Sequence, residues 1–334
     1  MRRAARGAAL LLAGVLAACR GAQVPSEPRV ERAPVTSPAE LFPDDLDFVV
    51  RVGAARIRQN PALAGVVREI AKQQPSDLVA SMQSALGDAA AVWAGTRWMS
   101  DGFHGDGVVA IETAPGSEAS TLADARGAED ARGAGDAHGW RLVTSMPLSA
   151  RASPTRDCET FERAAGGRAD AVLRVVMNGH GILLATAAEA DAVLRVLRAG
   201  PDRDRLEPPE RGLLSFAGRP RTGSAFDTAV AHGTLRGVME GLVGYSGVID
   251  EGRGDDKGGA GVRSDEGIDL DASLAYVSSA DAARAAERAK ELAGRLALAG
   301  GALGRMANSM KLTEVGTSVQ LRLKVPFAWL AELH

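Results

Sequence analysis

Cysteine is nearly missing from this chain: its 334 residues hold two, Cys19 and Cys158. A disulfide framework is therefore excluded, and the fold must stand on its apolar core. Aromatics make up only 4% of the residues. Trp93, Trp98, Trp140 and Trp329 lie too far apart in sequence to suggest a sugar-stacking platform, so packing is their expected role. Neither sign of charge prevails, since 39 basic residues meet 42 acidic ones. A basic face for nucleic acid is not indicated. No apolar run reaches the roughly 20 residues that a helix needs to cross a bilayer.

The motifs of dedicated chemistry are missing as well. His104, His138, His180, His232 and His334 are scattered, and none forms the His-Glu-x-x-His or Cys/His spacing of a zinc site. Gly244-Tyr245-Ser246-Gly247-Val248 lacks the last glycine of a nucleophile elbow. The stretch Gly252 to Gly261 holds Lys257 but no Walker spacing, which argues against nucleotide binding. Cys158 lies among Arg156, Asp157 and Glu159 with no histidine near in sequence, so a buried, unreactive thiol is expected. No cofactor and no metal is implied.

What is present begins at the amino terminus. Arg2, Arg3 and Arg6 precede an apolar run from Ala8 to Ala18, which ends in Leu16-Ala17-Ala18-Cys19. That is the order of a signal peptide: a basic region, an apolar region of about 11 residues and a small-residue cleavage site. The last four residues resemble the lipobox of bacterial lipoproteins at every position. The resemblance implies removal of residues 1–18, a thioether-linked diacylglyceryl group on Cys19 and acylation of the new amino terminus. A single chain holds a protein to a bilayer only marginally, at about 0.8 kcal/mol per buried methylene, whereas two or three chains hold it durably. Arg20 stands where lipoproteins of the inner membrane carry Asp in the enteric sorting rule, which favours the outer membrane.

Behind Cys19, the Pro-, Glu- and Arg-rich stretch to about residue 40 has no apolar period and reads as a disordered tether. The rest divides into two α+β halves, 41–218 and 219–334. In the first, Asp45 to Val52 reads as a strand, and Asn60-Pro61 opens a helix with Leu63, Val66, Val67 and Ile70 on one face. A second helix is expected over residues 77–86. Ala89 to Trp98 and Gly107 to Thr113 form an antiparallel pair, followed by a mobile loop of six-residue repeats over residues 114–139. Ala171 to Met177 and Gly181 to Ala185 form a hairpin around Asn178-Gly179. Thr186-Ala187-Ala188-Glu189 then reads as a capping box for a helix carrying Ala190, Val193, Leu194 and Leu197, ended by Gly200-Pro201. A strand from Gly212 to Phe216 closes the half.

The second half echoes this order. It offers a strand over Phe226 to Ala231, a helix over Leu235 to Leu242 and a strand over Ala272 to Val277. An alanine-rich helix stripe follows from Ala282 to Leu296, and the last strand alternates Val319, Leu321, Leu323 and Val325 with Gln320, Arg322 and Lys324. The fold class expected is α+β, with mainly antiparallel sheets, helices packed on one face and two related halves.

Asp269 and Asp271 stand two apart on an expected strand, so both carboxylates share a face. They could serve as an acid and base pair, although such a pair more often faces water, as is expected also of Asp44, Asp45 and Asp47. The acidic stretch Asp250 to Glu266 contains Asp255-Asp256 but misses the spacing of a calcium loop and reads as a solvated loop. Pro43-Asp44 before the Phe48 to Val52 strand, and Val325-Pro326-Phe327 at the closing strand, resemble uncharacterised envelope lipoproteins of Gram-negative bacteria, myxobacterial ones among them. That family implies location rather than activity. The expected function is a lipid-anchored, non-catalytic binding or structural module of the outer membrane, facing the periplasm or the surface. It would touch the membrane through the acyl chains on Cys19 and meet an envelope protein or ligand at a sheet edge or at a cleft between the halves. The alternative is a periplasmic or surface hydrolase using dispersed carboxylates.

Overall fold

The structure is a computed structural model. It describes residues 35, 37–60, 89–97, 106–113, 140–147, 157–166, 170–177, 180–201, 204–220, 236–252, 267–298, 300–326 and 329. The expected leader, Cys19, the helix carrying Leu63 to Ile70, the helix over 77–86, the repeat loop and the strand over 226–231 lie outside them.

The α+β class and the antiparallel pairing hold, with one sheet of 12 strands among the described residues. In chain order these are β1 (Phe48–Val52), β2 (Ala89–Thr96), β3 (Val108–Thr113), β4 (Arg141–Pro147), β5 (Asp157–Glu162) and β6 (Ala171–Met177). Then come β7 (Gly181–Thr186), β8 (Leu214–Gly218), β9 (Leu242–Gly252), β10 (Gly267–Tyr276), β11 (Lys311–Val315) and β12 (Ser318–Pro326). Across the sheet the order is β11-β12-β10-β9-β8-β1-β2-β3-β7-β6-β5-β4. The halves therefore meet in a hydrogen-bonded seam, where β8 pairs with β1 on one side and β9 on the other. No cleft separates them at that seam.

Five helices are described: α1 (Ala54–Gln59), α2 (Ala187–Ala199), α3 (Arg236–Met239), α4 (Ser279–Leu298) and α5 (Gly301–Ser309). Asn60, expected to open a helix, is the C-cap of α1, its backbone N–H donating to the Ile57 carbonyl. The helix expected over Leu235 to Leu242 is described over Arg236–Met239 (α3) and stops short of Leu242, which belongs to β9 behind Gly241 at φ 77°.

Cross-strand partners show how the faces are used. One row runs Val175, Leu183, Ala110, Trp93, Arg51, Ser215, Val248, Asp271, Arg322. Its first four residues are buried. They lie in a core with Val193 and Val196 of α2 and with Leu41, Phe42 and Leu46 of the amino-terminal strap. Its last two are exposed. One face of the sheet is thus dry in the first half and wet in the second. On the opposite face, Ala282, Ala285 and Ala286 of α4 pack on Leu242, Tyr276 and Val319. Alanine lets this helix approach the strands closely. With α2 on the first face and α4 on the opposite one, the helices are not confined to one face as expected.

The strap is ordered earlier than its composition suggests. Val35 is 6% exposed, and Pro38–Leu41 forms a 3₁₀ turn within the stretch read as tether. Ser37 caps that turn: its hydroxyl accepts from the Ala39 backbone N–H, and the Glu40 carboxylate accepts from the Ser37 backbone N–H. The Ser37 hydroxyl also donates to Glu112 on β3.

Candidate functional site

The water-facing part of the first face carries a groove with clustered titratable groups. Val248 and Asp250 on β9 and Asp269 and Asp271 on β10 form its floor, with Glu251 and Arg211 beside them, around a volume of about 230 Å³. It runs into a second hollow of about 210 Å³ that shares Arg211, Val248 and Asp271 and reaches Pro209, Ser246, Ser273, Gln320 and Arg322. Strand periodicity builds the site. Residues 269, 271 and 273 alternate with Leu270, Ala272 and Leu274, whose side chains serve the other face.

Asp269 and Asp271 do share a face, and Asp271 is exposed. Sequence reading missed their partner strand. Asp250, assigned to a solvated loop, is the direct cross-strand neighbour of Asp269. Like charges placed opposite repel, and the structure meets this with arginines. Arg56 of α1 pairs with Asp250 at 2.7 Å, and Arg322 of β12 pairs with Asp271 at 3.1 Å. Two of the three aspartates are thus occupied by exposed guanidiniums, and no histidine lines either hollow. Among the described residues, no group of three or more His, Cys, Asp or Glu could hold a metal ion. The arrangement can accept a polar surface laid across it.

No model of a known protein family matches the chain, and no curated protein does. Solved structures give a loose likeness. Crystal forms III and I of TP0453 overlap this chain at 10% and 11% identity, with TM-scores of 0.43 and 0.44. They cover 89% of this chain and 97% and 96% of theirs. At that level the likeness supports no argument about this chain.

The other residues singled out in the sequence have structural settings. Cys158 on β5 is 1% exposed, and burial pushes its thiol up to about 12, with Glu159 adding to the shift. His180, the one described histidine, sits at the β6–β7 turn, where its backbone N–H donates to Met177 and its carbonyl accepts from Thr113. Trp93 and Trp140 are buried. The guanidiniums of Arg163 and Arg174 lie 4.7 and 4.8 Å from the Trp140 ring centroid, and Arg174 also covers Phe161 at 4.6 Å. These contacts make Trp140 a packing element.

The capping box expected at Thr186 and Glu189 does not form. The Thr186 hydroxyl makes no cap bond and instead accepts from the Gly107 backbone N–H. Glu189, 1% exposed, turns to Arg97 just beyond β2. Arg97 donates from Nε to one Glu189 oxygen at 2.6 Å and from Nη2 to the other at 2.9 Å. The same guanidinium holds both oxygens of Asp45, at 2.5 and 2.6 Å. This clamp joins strap, sheet and helix, and its length in sequence hides it from local reading.

Proposed function

We propose that the chain is a lipid-anchored envelope protein of the outer membrane, facing the periplasm or the surface, whose folded part is a non-catalytic binding or structural module. The observation that carries this reading is Leu16-Ala17-Ala18-Cys19, set behind three arginines and an apolar run of about 11 residues. The open polar groove over β9 and β10 supports the second part, because it suits contact with an extended partner surface better than enclosure of a small substrate. No helix among the described residues is long and apolar enough to cross a membrane. Attachment in this reading rests on acyl chains at Cys19.

The test uses the full chain produced with its leader in a Gram-negative host. Cys19→Ser is expected to move the protein from the membrane pellet to the soluble fraction or to leave it unprocessed. Mass spectrometry of the wild-type protein is expected to show a mature chain starting at an acylated Cys19. An intact leader, or an unmodified thiol on a membrane-free protein, overturns the proposal.

A further inference from the structure

We draw no further inference here: the strongest candidate, the overhanging tip of the α4–α5 helical hairpin where Leu296, Leu298 and Leu303 are exposed, is an unpartnered apolar patch, and nothing in the structure shows what covers it.

Discussion

Arg97 ties the amino-terminal strap to α2 through Asp45 and Glu189. Removing it by Arg97→Ala strips the buried Glu189 of that partner, and breaking a buried pair from one side costs about 3–5 kcal/mol. Urea unfolding should show that loss. The double variant Arg97→Ala/Glu189→Ala should recover part of it, since the stranded carboxyl is gone. Asp45 carries the acid side of the same clamp. The hydrogen bond from Arg97 is the largest influence and holds its carboxyl below the usual range, against the opposing effect of burial. A carboxyl depressed in the folded state adds stability that is complete above its unfolded value, about 3.9, and is lost as pH falls through the lower folded one. Asp45→Asn should therefore flatten the fall of Tm below about pH 4 and change its slope little near pH 7. The effect should be modest, because the Asp45 side chain is 40% exposed. Cys158 offers a direct check on burial. A thiol near 12 is thiolate in only about one molecule in ten thousand at pH 8. Iodoacetamide at that pH should leave Cys158 of the native protein unlabelled and label it in denaturant; fast native labelling of Cys158 would contradict the packing of β5.

At the scale of elements, β9 shows why part of the fold escapes a reading of the sequence. Its Gly244, Gly247 and Gly252 look like loop residues, yet two strand glycines at this seam are sites where rings lie flat. A Cβ on Gly247 would stand 2.5 Å from the Phe216 ring, and one on Gly218 would meet the Tyr245 ring. Phe48, Phe216 and Tyr245 have centroids 6.3 to 6.4 Å apart and bridge β1, β8 and β9. Gly247→Ala must displace a ring from its place on the sheet, at a cost of about 1–3 kcal/mol, measurable as a lower urea midpoint. The register between Ala275 and Tyr276 also shifts against β9, because Val243 is an extra residue there. That bulge lets both Leu242 and Tyr245 join the cluster that holds the α4 alanines, three residues apart, which strict alternation would forbid. Where the pattern is local, the sequence reveals the element: the β6–β7 hairpin, α2 with its stop at Gly200, and the alternating β12 are all legible. The polar β4, β5 and β11, the glycine-bearing β9 and the short α5 are not, because their pairing comes from distant neighbours. The groove was half legible for the same reason. Asp269 and Asp271 announce a shared face by spacing, whereas Asp250, Arg56 and Arg322 reach it only through strand order.

For the whole molecule, the seam between β8 and β9 decides how the halves behave. Five residues of β8 pair with β1 and the same five with β9. Separating 41–218 from 219–334 would bare a central strand on each piece, and unpaired inner strands invite aggregation. The second piece expressed alone should therefore fail to give dispersed amide signals, and the intact chain should unfold in one transition that fluorescence and circular dichroism report together. Independent folding of either piece would argue that the seam is incidental. The strap adds a mechanical property. Arg205 donates to the Glu40 carbonyl, Arg219 to the Asp44 carbonyl, and Arg97 grips Asp45. Tension arriving from the amino-terminal side would meet these three rivets in turn before it reached the first rung of the ladder. If the chain is anchored at Cys19 as proposed, such a pull would be shared among segments far apart along the chain, so the body could be towed without being unzipped.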